Sequence, residues 1–274
     1  GKYETSHTGC TTDVSTGETN TNVTTLTVQI KAGITSWRNI NVNNIFTVCT
    51  ELNKEGNLYK LNTNDSVVDP HMIKNSEWGA VAYLSQNTTY GKGEEVWINP
   101  NSNYITGQAG DGVSASATET TYAYNTTNGQ QASTTGNITG IYDMSGGAYE
   151  YVAAYVNNEH VSLETYGSNL INAQDKYKDV YSVGSSDSSE NNYVVSTPVN
   201  GHYGDAIYET SNGGNSNNNS WYSDSSHFPY YNVPFLFRTG GYNVTTSGGL
   251  FLFSRAAGGG GNAGTFRLVI PVLL

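Results

Sequence analysis

Gly140-Ile141-Tyr142-Asp143-Met144-Ser145-Gly146-Gly147-Ala148-Tyr149-Glu150-Tyr151 is the stretch on which the reading of this sequence turns. Gly140 and Gly146 permit backbone conformations that a side chain would hinder, while Ile141, Met144 and the tyrosines offer core-filling bulk. A β-like run, Tyr149 to Val156, leaves it. Asp143 and Glu150 admit a reading as a carboxylate pair for acid–base chemistry. In an irregular turn such carboxylates more often accept from backbone N–H groups, and that role is the one expected.

Upstream, two helices are expected. In the first, Ile45, Val48, Cys49 and Leu52 fall at helical spacing, Asn41 or Asn43 can cap the start, and Gly56 ends it. The second runs from about Asn75 to Gln86, with Trp78, Val81, Ala82 and Ser85 on one side, Asn75 as N-cap and Glu77 suited to the first turn. Before them, residues 1–33 form an N-terminal strand region containing Val23 to Val28, and 34–274 form the main domain. From residue 87 onward helical periodicity is lost. Short β-like runs (Val96 to Ile98, Tyr122 to Tyr124, Val194-Val195, Phe235 to Phe237) alternate with Gly, Asn and Ser clusters, and Ser211 to Ser220 reads as a flexible surface loop. The fold class is α+β, with two early helices and a loop-rich antiparallel β half.

Composition narrows the function. The chain has 274 residues, only 13% of them charged, with 31 Gly and 21 Tyr, and 12% aromatic content argues for a folded domain rather than disorder. A net charge of −11 repels nucleic acid and anionic lipid. Cys10 and Cys49 show no metal or redox spacing; they would be one disulfide in an oxidising compartment, or two unremarkable thiols. No stretch approaches the ~20 apolar residues of a membrane helix. The start at Gly1, with neither initiator Met nor apolar leader, reads as a processed or excised product.

The signature resembles the Gly-(Leu/Val)-Tyr-Asp-Met-x-Gly-Asn-Val-Trp-Glu-Trp motif of the formylglycine-generating-enzyme family, whose members have a C-type-lectin-like fold. Asn75-Ser76-Glu77-Trp78 resembles that family's Thr-Glu-Ala-Glu-Trp helix, Arg238-Thr239-Gly240-Gly241 its Arg-Gly-Gly segment, and Gly264-Thr265-Phe266-Arg267-Leu268 its closing Gly-Phe-Arg strand. Together these span about residues 37–270. The departures bear on activity. Members that make formylglycine bind copper through a late pair of cysteines, and nothing after Cys49 is a cysteine. Iron-dependent relatives use a histidine cluster, whereas His7, His71, His160, His202 and His227 show no ligand spacing. The signature also differs at Gly147, Ala148, Tyr149 and Tyr151. The resemblance therefore implies the scaffold without the catalytic apparatus: no enzyme, no metal and no cofactor.

A narrower resemblance lies between Arg238 and Arg267. Arg-Thr-Gly-Gly, then Gly249-Leu250-Phe251-Leu252-Phe253-Ser254-Arg255, then Phe266-Arg267 is similar to the variable region of proteins diversified by retroelements in bacteria, archaea and their phages. With a strand period of two, Phe251, Phe253 and Arg255 face inward and Leu250, Leu252 and Ser254 outward. Residues 239–265 are the expected binding segment. Its displayed positions are Tyr242, Asn243, Val244, Thr245, Thr246, Leu250, Leu252, Ser254, Ala256, Ala257, Gly259, Gly261, Asn262 and Ala263, with Tyr242, Leu250 and Leu252 as anchors. Each can be reached from an asparagine codon by changing adenines. Four consecutive glycines, Gly258 to Gly261, are expected to be exposed, and an aromatic loop (Tyr222, His227, Phe228, Tyr230, Tyr231) borders the segment or packs the core.

The function so implied is non-catalytic recognition of a protein or glycan receptor, extracellularly, on a cell or on a virion, with no nucleic-acid partner and no membrane insertion. A carbohydrate-binding module, a metal-dependent oxidase and a structural subunit of a virion or pilus are the competing readings.

Overall fold

The computed structural model describes residues 1–11, 27–54, 59, 61, 68–183, 203–211 and 218–271. Among them the chain is mixed α+β, with three α-helices and four sheets. Helix α1 (Val42–Glu51) starts where the Asn41 side chain accepts from the Asn44 N–H at 2.9 Å, as an N-cap does. It buries Val42, Ile45, Phe46, Val48 and Cys49; Gly56, the expected stop, lies outside the described residues. Helix α2 (Asn75–Ser85) is capped one residue earlier than expected. The Glu77 carboxylate reaches back to the Lys74 N–H at 2.9 Å, and Asn75 instead sits inside the helix, buried against Tyr181.

Helix α3 (Val161–Ile171) corrects the expectation that helical periodicity ends at residue 87. It buries only Ser162, Leu163, Gly167 and Leu170, and Gly167 is non-helical where the chain kinks. A stripe so sparse and interrupted leaves little periodic signal. Its N-cap is His160, whose Nδ1 accepts from the Ser162 N–H at 3.1 Å.

The central sheet is built on β6 (Tyr149–Val156), the run expected from sequence. It pairs in parallel with β7 (Asp179–Tyr181) and β10 (Gly264–Phe266), and antiparallel with β8 (Phe235–Arg238), which pairs with β9 (Phe253–Ala256). Thus the sheet is mixed rather than purely antiparallel. Three small antiparallel pairs surround it: β1 (Ser6–His7) with β2 (Val28–Gln29), β3 (His71–Met72) with β11 (Leu268–Val269), and β4 (Gln108–Ala109) with β5 (Tyr122–Ala123). Residues 12–26, including most of the expected first strand, and residues 194–195 and 212–217 lie outside the described set. Val96 to Ile98 forms no strand.

Residues opposite one another in a ladder share a face. Tyr151, Phe237 and Ser254 are opposite in turn, as are Glu150, Arg238 and Phe253. The first face contributes Tyr151, Tyr155, Phe235 and Phe266 to a core with α1 and Leu163 and Leu170 of α3. The second contributes Val152, Ala154, Leu236 and Phe253 to a core with Trp78 and Ala82 of α2. Both cysteines are thiols rather than a disulfide: Cys49 is buried in the first core, and Cys10 Sγ donates to the Ser36 carbonyl at 3.4 Å. No helix among the described residues is long and apolar enough to cross a membrane.

Candidate binding surface

The signature is folded by its glycines and its acids. Gly146 and Gly147 adopt φ of +77° and +73°, and a Cβ on Gly146 would stand 2.4 Å from the Asn99 carbonyl. Only glycine meets both demands cheaply. Asp143, itself at φ 60°, accepts from the Gly107 N–H at 2.8 Å and from Asn99 Nδ2 at 2.9 Å. Glu150 makes a bidentate pair with Arg267, with Nε to Oε2 at 3.0 Å and the second contact at 2.5 Å. Glu4 accepts from the Ala148 N–H at 2.9 Å. Burial pushes all three carboxyls above their ordinary range, opposed by the Arg267 guanidinium. Asp143 thus has the expected backbone-holding role, whereas Glu150 pairs with Arg267 instead, and both are sealed from solvent.

The signature's own backbone carries the C-terminal segment. Gly147 O accepts from the Tyr242 N–H at 2.8 Å, and the Tyr149 N–H donates to Ala263 O at 2.7 Å. Residues 242 and 263 are thereby pinned two residues apart on one rigid stretch. Side chains repeat the link. The Tyr242 ring meets Tyr104 edge-on at 5.0 Å, the Arg38 guanidinium lies 3.9 Å over the Tyr104 ring, and Arg38 donates to Asn262 O at 2.7 Å. Arg38 and Tyr104 were missed from sequence: 66 positions apart, they give no local pattern. Tyr149 and Phe237 are half-buried with rings 5.5 Å apart, and Phe237 packs against the first core.

Between these pins the segment alternates between frame and display. Arg238 is fully buried; its Nε donates to Asn75 Oδ1 at 2.7 Å, and its other N–H groups reach the carbonyls of Asp205, Ala206 and Leu252. Burial lowers its proton affinity, yet a guanidinium remains charged. Asn243, Thr246 and Asn262 are exposed; Tyr242, Val244, Thr245, Ser254, Ala256, Ala257, Gly259, Gly261 and Ala263 are half-exposed. Thr245 stands at φ 51°.

Two expected anchors are not displayed. Leu250 and Leu252 are 3% and 1% exposed, as buried as Phe251 and Phe253. Strand β9 begins only at Phe253; residues 250–252 form a turn whose Leu250 carbonyl accepts from Trp78 Nε1 at 2.9 Å. With no pleat, a turn enclosed on both sides buries every side chain. Arg255 faces the expected way but is half-buried, donating to Phe228 O at 3.0 Å and lying 4.3 Å over the Tyr230 ring.

The glycine run is not uniformly exposed either. Gly258 is buried at φ +97°, where a Cβ would meet the Phe235 ring at 2.5 Å, and a Cβ on Gly260 would lie 2.9 Å from the Asn39 backbone. Gly259 meets only the Tyr166 ring, at 3.5 Å, and Gly261 has nothing within 4 Å. Backbone bonds Val42 N–H to Gly258 O and Asn39 N–H to Gly261 O, both 3.0 Å, fasten the run to the start of α1 and the residues before it. In the aromatic loop, Phe228 packs the second core while Tyr222 and Tyr231 are exposed.

No cluster of three or more His, Cys, Asp or Glu side chains among the described residues could hold a metal ion. His7, His71, His160 and His227 stand in separate elements, and His202 lies outside the described residues. No protein-family model matches the chain, and no curated protein matches it in sequence.

Proposed function

We propose that this chain is a non-catalytic binding protein that displays a diversifiable C-terminal face on a C-type-lectin-like scaffold of the formylglycine-generating-enzyme type. The observation that carries the reading is the pinning of residues 242 and 263 to one stretch of signature backbone, with room for a Cβ at Gly259 and Gly261 between buried Phe253 and Phe266. A rigid frame that leaves selected positions unconstrained allows the partner to change while the fold does not. Tyr242, Asn243, Thr246, Ala257, Gly261 and Asn262 form the face, and Tyr is suited to contact area at low entropic cost.

The partner is a protein or glycan receptor met outside the cell, with the domain borne on a cell or virion surface. No cofactor enters this function. Deep sequencing of the 3′ coding segment across one source population tests it. Differences concentrated at adenine-derived codons for the exposed positions, sparing Phe251, Phe253, Arg255, Phe266 and Arg267, are the expected outcome. A segment no more variable than residues 75–150 would overturn the diversified-face reading and favour a lectin-like protein of fixed specificity.

A further inference from the structure

The start of α1 holds Gly258; its other end borders a concave surface. A cavity of about 420 Å³ opens between the second half of α1, the end of α3 with the residues that follow it, and the Asp69–Pro70 segment ahead of β3. That volume falls within the roughly 300–1,000 Å³ of small-molecule sites. None of its lining residues belongs to the 239–265 segment. Part of the wall is apolar: Phe46, Pro70, Ala173 and the Tyr177 ring, which meets Phe46 edge-on at 6.4 Å.

The polar part of the wall donates within the protein. Thr50 Oγ1 donates to the Phe46 carbonyl at 2.9 Å, Asn53 Nδ2 to the Val68 carbonyl at 3.0 Å, and the Tyr177 hydroxyl to Asp69 Oδ1 at 2.6 Å. The oxygens of Thr50 and Asp69 keep lone pairs, and Asn53 Oδ1 is buried without a hydrogen-bond partner. An acceptor so placed carries its full desolvation cost until a donor reaches it. An occupant that brings donors therefore has partners here, and donors come as hydroxyls or as ammonium groups. Charge separates the two. Each acid of the wall has a lysine, Lys54 on Glu51 and Lys176 on Asp69, the latter at 2.8 Å. Two carboxylates matched by two ammoniums leave no net field to select a cation or an anion. A neutral molecule with several hydroxyls for the acceptors and C–H faces for the apolar strip is a saccharide.

We propose that this cavity binds a neutral saccharide unit, whose hydroxyls donate to Asn53 Oδ1, Thr50 Oγ1 and Asp69 while its C–H face lies on the Phe46, Pro70 and Tyr177 wall. The site is independent of the diversified segment, so the unit it recognises stays the same whatever residues 239–265 carry. The test is calorimetric titration of the intact protein, with chelator present throughout, using the methyl glycosides of glucose, galactose, mannose and N-acetylglucosamine. N-acetyl-lysine methylamide serves as the ammonium probe. Saturable binding of at least one glycoside in the millimolar range, and none of the lysine probe, is expected. Ala173→Phe, which fills the cavity, should abolish it. Asn53→Leu should weaken it about tenfold, the scale of one hydrogen bond, and Gly261→Ala and Asn262→Ala should leave it unchanged. Thermal melts check that each variant is folded. Four results would each overturn the proposal: no saturable glycoside, equal binding of the lysine probe, binding that survives Ala173→Phe, or binding lost in the Gly261 and Asn262 variants instead.

Discussion

Asp224 is where pH should act most visibly on this fold. Its carboxyl is buried under the 249–252 turn, accepts from the Phe251 N–H at 2.9 Å, and is pushed up to about 8, chiefly by burial and partly by Glu95. A carboxyl raised in the folded state contributes stability that is fully present below its unfolded value, near 4, and is lost as pH rises through the folded one. Glu95, raised to about 7, and Asp205 act in the same sense; Asp69 and Glu77, both lowered, act oppositely and only at acid pH. The Gly1 amine, lowered to about 5 chiefly by burial, opposes the raised carboxyls between pH 5 and pH 8, so it is the carboxyl contribution to the melting temperature that should fall between pH 5 and pH 9. Asp224→Asn, which keeps an acceptor for Phe251 without the charge, should flatten that fall and melt higher than the parent at pH 8.5; an unchanged profile would show that Asp224 does not titrate there. Glycines give a second contrast at this scale. Gly258→Ala should cost on the order of 1–3 kcal/mol from a positive φ and a clash with Phe235, and Gly261→Ala under about 0.5 kcal/mol. Chemical denaturation of both variants measures the difference. Nothing in a run of four identical residues distinguishes its members; only the surroundings at Phe235 and Asn39 do.

At the scale of elements, local pattern was legible where one face carried it. Strand β6 and the cores of α1 and α2 follow from runs of apolar residues, whereas α3 escaped because Val161 is exposed and Gly167 breaks its stripe. The α2 cap was displaced by a long-range demand: Asn75 is taken by Arg238 and Tyr181, so Glu77 closes the first turn on Lys74. Period-two reasoning set Ser254 and Ala256 opposite to Phe253, but they lie half-buried against Phe237 and Phe235, and it failed at Leu250 and Leu252 because strandness does not begin until Phe253. The clamp joining the two exposed stretches was not legible at all, since Arg38, Tyr104, Tyr242 and Asn262 meet only in three dimensions. Arg38→Ala removes both the stack and the bond to Asn262. Amide hydrogen exchange should then quicken in residues 241–247 and 259–263 while β6 stays protected; exchange unchanged in both stretches would mean that the backbone bonds alone hold the face.

Across the whole molecule, Arg267 ties the chain's start to its signature and its last strands. It pairs with Glu150 and donates to the carbonyls of Gly1 and Tyr142, so the closing Phe-Arg motif is structural. Arg267→Met leaves Glu150 beside Glu4 and Asp143 without its cation and should cost about 3–5 kcal/mol, enough to unfold a marginal domain. Near-parent stability of this variant, measured by denaturant titration at pH 7, would place the tie elsewhere. The central claim is that residues 239–265 interleave a fixed frame with a substitutable face. The direct measurement is a saturation scan of that segment scored by protease resistance. The account predicts broad tolerance at Asn243, Thr246, Ala257, Gly259, Gly261 and Asn262, and intolerance at Thr239, Gly240, Leu250 to Phe253, Gly258 and Gly264. Uniform intolerance, or tolerance at Leu250 and Leu252 equal to that at Gly261, would contradict it.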